Sequence, residues 1–356
     1  MKRSLSMGLF AFCACSGEVD VEVRVYGEPF AEEGIPAAEL RDGWAVRFDE
    51  LLIGLGEVRL SGDPSPDLGG WYVFDVAAGS GGAGHLLSTV EDQRELDAVH
   101  FRVGRPDDVI GGNANDAQVE TLRSNGFAIF ARGEATKDGR TVGFEWGIPM
   151  DLSFDCPVDG EGDVELTMHA DHLLVDDLEV SPELAFDVIA DADADADGVV
   201  TPTELRAVEL ATLADYQTSR DDIEDLWTFI GNLALTIPHV NGEGTCTQRF
   251  TPDEFTGLEP ADYEPDLAAE LYGQHCASCH GDAGRGDGAA GEGLRPPPTD
   301  LTQARGSAAD PAYIHFRIAR GGAFFPYASS MSGYEDVLED DEIAQLTAFV
   351  QALSTL

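Results

Sequence analysis

Basic side chains are scarce in this sequence of 356 residues. Lysine and arginine together number 21 against 67 aspartates and glutamates, and Lys2 and Lys137 are the only two lysines. The formal net charge of −46 repels polyanions and anionic lipid headgroups. The scarcity of positive charge therefore excludes nucleic acid as a partner. It also predicts that partner proteins dock through a basic face, at rates that fall as salt rises.

The N-terminus lacks an apolar run long enough to span a membrane. The segment MKRSLSMGLFAFCACSG joins a basic start to a short apolar run and small residues, which predicts a secretory signal peptide over residues 1–17. Because Ala14 precedes Cys15 as in a bacterial lipobox, we expect a lipoprotein leader and a mature chain that begins at a lipidated Cys15. The alternative is ordinary cleavage just beyond Gly17, leaving a soluble periplasmic protein. We therefore expect a bacterial periplasmic protein or a lipoprotein that faces the periplasm or the exterior.

A short motif near the C-terminus carries the clearest chemistry. In the stretch CASCH, two residues separate Cys276 from Cys279, and His280 follows at once. Thiols three positions apart lie on one face of a helical turn, so both can form thioethers to one porphyrin edge while the histidine points at the iron. The spacing predicts covalently bound haem c with His280 as an axial ligand. The alternative is a chance match on a zinc or redox loop.

The chain from residue 265 to Leu356 resembles a small class I cytochrome c. The stretches that carry the likeness are LAAELYGQHCASCHGDAGRGDG, GLRPPPTDLT and EDDEIAQLTAFVQAL. The resemblance implies an all-α haem domain with Met331 as the second axial ligand, because Tyr334 follows it at the family's spacing. Ser332 stands where the family usually has proline. His315 is the rival ligand and would give a bis-histidine haem of lower potential.

Cysteine is used sparingly, and each cysteine can be assigned. Two belong to the leader and two to the haem motif, which leaves Cys156 and Cys246. In an oxidising compartment we expect these two to form a disulfide bond. Sequence alone does not show whether their Cα atoms come within bonding range.

The first half of the chain alternates apolar and polar residues with a period of two. VDVEVRVYG is the clearest example, and further stretches of this kind are separated by Gly, Pro, Asp and Asn clusters. Several strands with turn signals between them and little helical periodicity predict a β-sandwich over residues 18–180.

Five histidines raise the question of a metal site in this β domain. On a continuous strand, His169 and His172 point to opposite faces, so they can share a metal only if the strand ends between them. The stretch from Trp44 through MHADHLLVDDL to IPHVNGEGTC resembles the β-sandwich copper-binding MbnP-like proteins, which implies a copper site. The alternative is that the histidines are ordinary surface and core residues. The five are His85, His100, His169, His172 and His239.

An acidic segment between residues 181 and 250 has the register of an EF-hand calcium loop. Its apolar flanks predict a helix on each side, and RDDIEDLWTFIGNLAL predicts one more helix behind it. The segment resembles the EF-hand family, and Gly198 supplies the sharp turn. A lone loop of this kind is expected to be a structural clamp, because sensors generally use paired hands. The expected calcium ligands are Asp193, Asp195, Asp197, the carbonyl of Val199, Thr201 and Glu204.

These observations predict a multidomain protein. After the β-sandwich, residues 181–250 complete the first domain, residues 251–264 form a linker, and residues 265–356 form the cytochrome. We expect an exported monohaem electron carrier that also binds calcium. No nucleophile motif and no dinucleotide fingerprint is present, so we do not expect an enzyme. The alternative is a β domain that binds copper or a partner protein and exchanges electrons with the fused cytochrome.

Overall fold

The computed structural model describes residues 19–93, 95–158, 162–178, 182–218, 223–249, 255, 263–294, 297–303, 310–323, 325 and 329–354. The predicted leader with Cys15 and most of the predicted linker lie outside these residues. None of the helices within the described ranges has the length and apolar character that a bilayer crossing requires.

The strands belong to the N-terminal part of the chain. The first strand is the predicted period-two stretch, and its alternate valines Val21, Val23 and Val25 are buried. The strands are β1 (Val19–Tyr26), β2 (Ala45–Asp63), β3 (Trp71–Asp75), β4 (His85–Gln93), β5 (Glu95–Val103), β6 (Val109–Gly112), β7 (Ile129–Lys137), β8 (Arg140–Ile148), β9 (Leu152–Pro157), β10 (Val164–Met168), β11 (Val199–Val200), β12 (Pro238–Val240) and β13 (Thr247–Arg249).

Two sheets share these strands. In the described residues, a four-stranded sheet has the order β12-β10-β1-β4, and β1 and β10 run parallel in it. A nine-stranded sheet follows the path β11-β8-β7-β2-β5-β9-β13, and β3 and β6 extend it from β2. Side chains from both sheets belong to one buried apolar cluster, so the two sheets form one domain core.

Short helices lie between the strands, and four helices follow them. The described helices are α1 (Glu28–Glu32), α2 (Asp116–Asn125), α3 (Asp187–Ala190), α4 (Pro202–Arg206), α5 (Leu226–Leu233), α6 (Pro265–His275), α7 (Ala277–His280), α8 (Pro311–Arg320) and α9 (Asp340–Ser354). The prediction of little helix in the first half missed α2. Its signal is a capping box, in which Asn115 and Gln118 each bond the other's backbone N–H, and Gly126 ends the helix at φ 73°.

The C-terminal helices build a second, smaller core. Helices α6 and α9 pack together, and the rings of Tyr272 and Phe349 lie 4.7 Å apart between their centroids. Phe316 of α8 and Leu346 of α9 are fully buried in the same cluster. This packing fixes the end of α6, at which the Cys-x-x-Cys-His motif begins.

One residue of the predicted cytochrome domain lies in the core of the first domain. Phe325 is 1% exposed and belongs to the larger apolar cluster. Its backbone N–H donates to the Pro149 carbonyl over 2.8 Å, and its ring centroid is 6.1 Å from that of Trp227. The segment between α8 and α9, which also carries Met331, is therefore attached to the first domain.

Candidate haem and metal sites

The motif residues 276–280 form one helical turn directly after α6. Cys276 caps α6 by donating its N–H to the Tyr272 carbonyl over 2.9 Å, and the N–H of His280 donates to the Cys276 carbonyl over 2.9 Å. Cys276 and Cys279 are both unpaired and half-buried. The turn thus presents two free thiols and one imidazole in the order that haem attachment requires.

The imidazole of His280 is held in one tautomer. Its Nδ1 lies 3.1 Å from the carbonyl oxygen of Thr299, and a carbonyl can only accept, so Nδ1 carries the proton. Burial lowers the pKa of His280, and the Thr299 carbonyl opposes this in part. The ring is therefore neutral at pH 7, and its Nε2 has a free lone pair for a metal.

The protonation of the thiols bears on the alternative of a redox or zinc loop. Burial, and the neighbouring Cys279, raise the pKa of Cys276 to about 11. Reactive redox cysteines have lowered rather than raised pKa values, so this thiol lacks their character. Within the described ranges, the groups of His, Cys, Asp and Glu that are close enough to hold a metal do not include either cysteine. The raised pKa therefore disfavours a reactive redox cysteine at this position.

The glycine-rich loop after the motif folds back on the turn. Gly288 donates its N–H to the Cys279 carbonyl over 3.1 Å, and the N–H of Gly286 donates to the His280 carbonyl over 2.8 Å. A Cβ on Gly288 would come within 2.4 Å of the Ser278 carbonyl, so only glycine allows this approach. The loop then leads to the proline run that supplies the Thr299 carbonyl.

Met331 lies in a segment that is bonded to both α8 and the motif turn. Its carbonyl accepts from the N–H of Gly322 over 2.9 Å, just after α8, and its side chain is half-buried. Three residues later, the hydroxyl of Tyr334 donates to the carbonyl of His275, the residue before Cys276, over 2.8 Å. These bonds tie the Met331 segment to the end of α6.

The rival ligand His315 has a different environment. It lies on α8, half-buried, with its ring centroid 5.9 Å from that of Phe255. Burial lowers the pKa of His315, which Asp340 partly opposes. Phe255 comes from the predicted linker, so His315 packs toward that segment. We retain Met331 as the predicted second ligand and His315 as its alternative.

The acidic loop lies between the short helices α3 and α4, so a helix flanks it on each side. Ligand oxygens of Asp193, Asp195 and Asp197 all lie within 4.8 Å of one another. The carboxylate of Glu204 turns back over the loop and accepts from the N–H of Ala194 over 3.1 Å and of Thr201 over 2.9 Å. These contacts, Thr201 first, lower the pKa of Glu204.

The loop is also joined to the large sheet. Residues 199 and 200, which form β11, pair in parallel with Gly143 and Phe144 of β8. The indole N–H of Trp146 donates to the Val200 carbonyl over 3.1 Å. The acidic loop is therefore held against the edge of the large sheet.

Cys156 and Cys246 are bonded to each other in the structure, across 90 residues of sequence. Cys156 is the next-to-last residue of β9, and β13 begins directly after Cys246 and pairs with β9 in antiparallel fashion. The bond therefore joins the ends of two neighbouring strands.

Three of the five histidines lie together. The strand β10 ends at Met168, and residues Ala170–Leu174 form a 3-10 helix, so the condition that the sequence set for His169 and His172 is met. Their ring centroids are 5.0 Å apart, and His239 lies 4.5 Å and 5.3 Å from them. His85 and His100 lie elsewhere: His85 bonds the Ala78 carbonyl, and His100 bonds Asp155.

Comparison with known proteins supports the haem site. Residues 266–354 match the family model of cytochrome c. No curated protein matches the chain significantly. Among solved structures, a chain of the reducing HAO-like protein complex of Kuenenia stuttgartiensis is similar at 25% identity, over 27% of this chain and 46% of that chain, with a TM-score of 0.23. This chain thus spans less than half of that neighbour's length. A TM-score this low gives no information about function.

The family match covers the turn with the two thiols, the oriented His280 and the segment with Met331. It confirms the prediction of a C-terminal cytochrome c domain, and a haem electron-transfer role follows from it. Residues 266–354 therefore form a cytochrome c domain at the end of a multidomain chain whose larger N-terminal part is rich in β-strands.

Proposed function

We propose that this protein is an exported c-type monohaem cytochrome that transfers single electrons between partner proteins. The observation that carries the proposal is the His280 imidazole, whose Nδ1 is bonded to the Thr299 carbonyl and whose Nε2 is free. It stands on one helical turn with two unpaired thiols. A haem bound there would supply a one-electron couple.

Each residue of the site has a separate role in this proposal. Cys276 and Cys279 would hold the cofactor covalently, and His280 would bind the iron from one side. Met331 would bind it from the other, with a thioether that raises the reduction potential relative to a second imidazole. With both axial positions filled by the protein, electrons leave and enter by outer-sphere transfer, which is why we expect a carrier rather than an enzyme.

The negative net charge of the chain indicates the kind of surface that a partner protein presents to it. A net charge of −46 favours redox partners with a basic docking face and disfavours nucleic acid. We expect the electron-transfer rate with a basic redox protein to fall as ionic strength rises, because screening weakens the attraction. Reduction by a neutral small molecule is the control, and its rate should not change. If the electron-transfer rate with the protein partner does not change with ionic strength, electrostatic docking is contradicted.

Export and calcium binding belong to the same proposal. The disulfide bond between Cys156 and Cys246 suits an oxidising compartment, which supports the predicted leader and, with Cys15, a lipid anchor. The acidic loop would bind calcium through Asp193, Asp195, Asp197, Val199, Thr201 and Glu204. One oxygen of Asp193, Oδ1, is buried without a hydrogen-bond partner, which supports a cation at this position.

A second candidate function is copper binding by the β domain, with electron exchange between the copper and the haem. It is favoured by the grouping of His169, His172 and His239. Removal of the metal would then change the rate at which the haem is reduced. If the rate of haem reduction does not change, the cytochrome carries electrons independently of any copper.

The decisive experiment for the main proposal is covalent haem attachment in the full chain. After expression with the bacterial haem-attachment system, the denatured polypeptide should retain haem on a gel. Cys276→Ala or Cys279→Ala should reduce the retained haem strongly, because one thioether is lost. Ser278→Ala lies in the same turn and is the matched control. A parent protein that loses all its haem on denaturation would overturn the proposal.

A further inference from the structure

A single backbone carbonyl orients two of the three grouped histidines. The carbonyl oxygen of Thr236 lies 2.7 Å from Nδ1 of His172 and 3.1 Å from Nε2 of His239. Because a carbonyl only accepts, both of these nitrogens carry protons. Nε2 of His172 and Nδ1 of His239 therefore have free lone pairs.

The lone pair of His239 has no partner among the residues that the structure describes. Its Nδ1 is buried and makes no hydrogen bond to any of them. A buried acceptor without a partner costs free energy, about 1–3 kcal/mol for a neutral group. A neutral imidazole with an unused nitrogen is the form that binds a metal ion.

His169 is the third ring of the group, and it lies inside the domain. His169 is only 4% exposed, and its Nε2 lies 3.3 Å from the Gly242 carbonyl, so this nitrogen carries the proton. Its Nδ1 then faces a carboxylate oxygen of Glu28 at 3.6 Å. A metal cation or a proton beside these two atoms would remove the repulsion between their lone pairs.

Carboxylates surround the three rings. Ligand atoms of His169, His239 and Glu243 all lie within 4.8 Å of one another, and those of His169, Asp171 and His172 do so as well. Both sets share His169. Two features of the fold bring them together: a local 3-10 turn that aligns residues three apart, and the long-range pairing of β12 with β10, which places His239 opposite Thr167.

We propose that His169, His239 and Glu243 bind a divalent transition-metal ion, with His172 as a further ligand. Imidazole nitrogens with one carboxylate suit zinc and copper(II), whereas calcium and magnesium prefer all-oxygen sites. The Thr236 and Gly242 carbonyls act as the outer shell that fixes the tautomers. The inference does not depend on the haem, and it deepens the second candidate function by naming its ligands.

Titration of the full haem-loaded chain with Zn²⁺ alone tests this site. Chelator-treated protein is saturated with calcium first, so that the acidic loop does not compete. We expect one tight equivalent of zinc, and Co²⁺ in its place should give visible d–d bands of a nitrogen-ligated ion. A chain that binds no zinc, or Co²⁺ that shows only the spectrum of the hydrated ion, would overturn the proposal.

Two variants keep the internal hydrogen bonds while removing the ligand atoms. His239→Gln retains a donor to Thr236 in place of Nε2 but loses Nδ1, and His172→Asn retains a donor in place of Nδ1 but loses Nε2. We expect His239→Gln to weaken zinc binding at least tenfold, and Glu243→Gln to weaken it less. His85→Gln, in the same domain, retains a donor in place of the Nε2 that bonds the Ala78 carbonyl. It is the matched control and should bind zinc as the parent does.

The haem spectrum and thermal unfolding without metal show whether each variant is folded. A folded His239→Gln variant that binds zinc with the parent's affinity would contradict the proposal. If zinc binds as expected but copper has no effect on haem reduction, the metal site stands and the second candidate function fails. Loss of haem with zinc binding intact would instead count only against the electron-transfer proposal.

Discussion

Phe325 of the cytochrome domain packs directly on Gly231 of helix α5 in the first domain. A Cβ placed on Gly231 would lie 2.0 Å from the Phe325 ring, a distance that no side chain tolerates. The missing side chain at Gly231 thus leaves room for this ring in the first domain's core. The contact links the β-rich part to the segment that carries Met331, six residues further along the chain.

We predict that Gly231→Ala expels the Phe325 ring and disturbs the Met331 segment. Overpacking of this kind costs about 1–3 kcal/mol in the free energy of unfolding. The expected result is lower thermal stability together with a weaker sulfur-to-iron absorption band. Gly273→Ala on helix α6 is the control, since its Cβ would meet nothing within 4 Å. The prediction is wrong if Gly231→Ala has the stability and spectrum of the parent.

The axial ligand is predicted to be Met331. Met331→Ala should remove the absorption band near the red edge that marks sulfur ligation and lower the reduction potential, because the thioether no longer stabilises reduced iron. His315→Ala should leave both unchanged. A band that survives in Met331→Ala, or a spectrum that changes only in His315→Ala, would assign the position to His315. Optical redox titration of the two variants side by side measures both the absorption band and the reduction potential.

Calcium should stabilise the first domain through the acidic loop, because β11 ties the loop to β8. A ligand at a hundred times its dissociation constant adds about 2.7 kcal/mol to the free energy of unfolding. We expect chelation to lower the melting temperature of the parent and to have little effect on Glu204→Ala, whose calcium affinity in calorimetry should fall strongly. Glu209→Ala, an exposed residue of the same region, is the control. Equal affinities in all three proteins would rule out the assignment.

A pH dependence is expected from Asp187, the first residue of α3. Its carboxylate accepts from Lys137 Nζ and from Trp44 Nε1, each over 2.7 Å, and these bonds lower the pKa of Asp187. A carboxyl whose pKa is lower in the folded protein stabilises it above the unfolded-state pKa, about 3.9, and this contribution is lost as pH falls through the folded pKa.

Asp187→Asn should therefore be less stable than the parent at pH 7, and the difference should shrink below about pH 4. The side chain is 52% exposed, so added salt should weaken the effect. Unfolding in urea at a series of pH values, in calcium-free buffer, measures the stability difference between Asp187→Asn and the parent. Asp20→Asn, on the exposed face of β1, is the control. A stability difference that does not change with pH would argue against the ion pair as the cause.

The haem turn and the acidic loop could be predicted from the sequence because their chemistry is local. A Cys-x-x-Cys-His run needs only one helical turn to align its three side chains, and a twelve-residue loop needs only its own backbone to gather its carboxylates. The period-two valines of β1 likewise predict a strand with a buried face. Helix α2 was missed because its evidence, the Asn115–Gln118 capping box, lies in a mostly polar segment whose apolar face, Val119 and Leu122, is short.

The tertiary structure alone decided which distant residues meet. Thr299 reaches His280, Tyr334 reaches His275, and His239 joins His169 only once the strands and helices are packed. Apolar burial is not directional, so no pattern in the sequence indicates that Phe325 enters the first domain opposite Gly231. The local motifs are determined by short-range backbone geometry, whereas the supports of the haem turn, the histidine group and the link between the domains follow from how the whole chain packs.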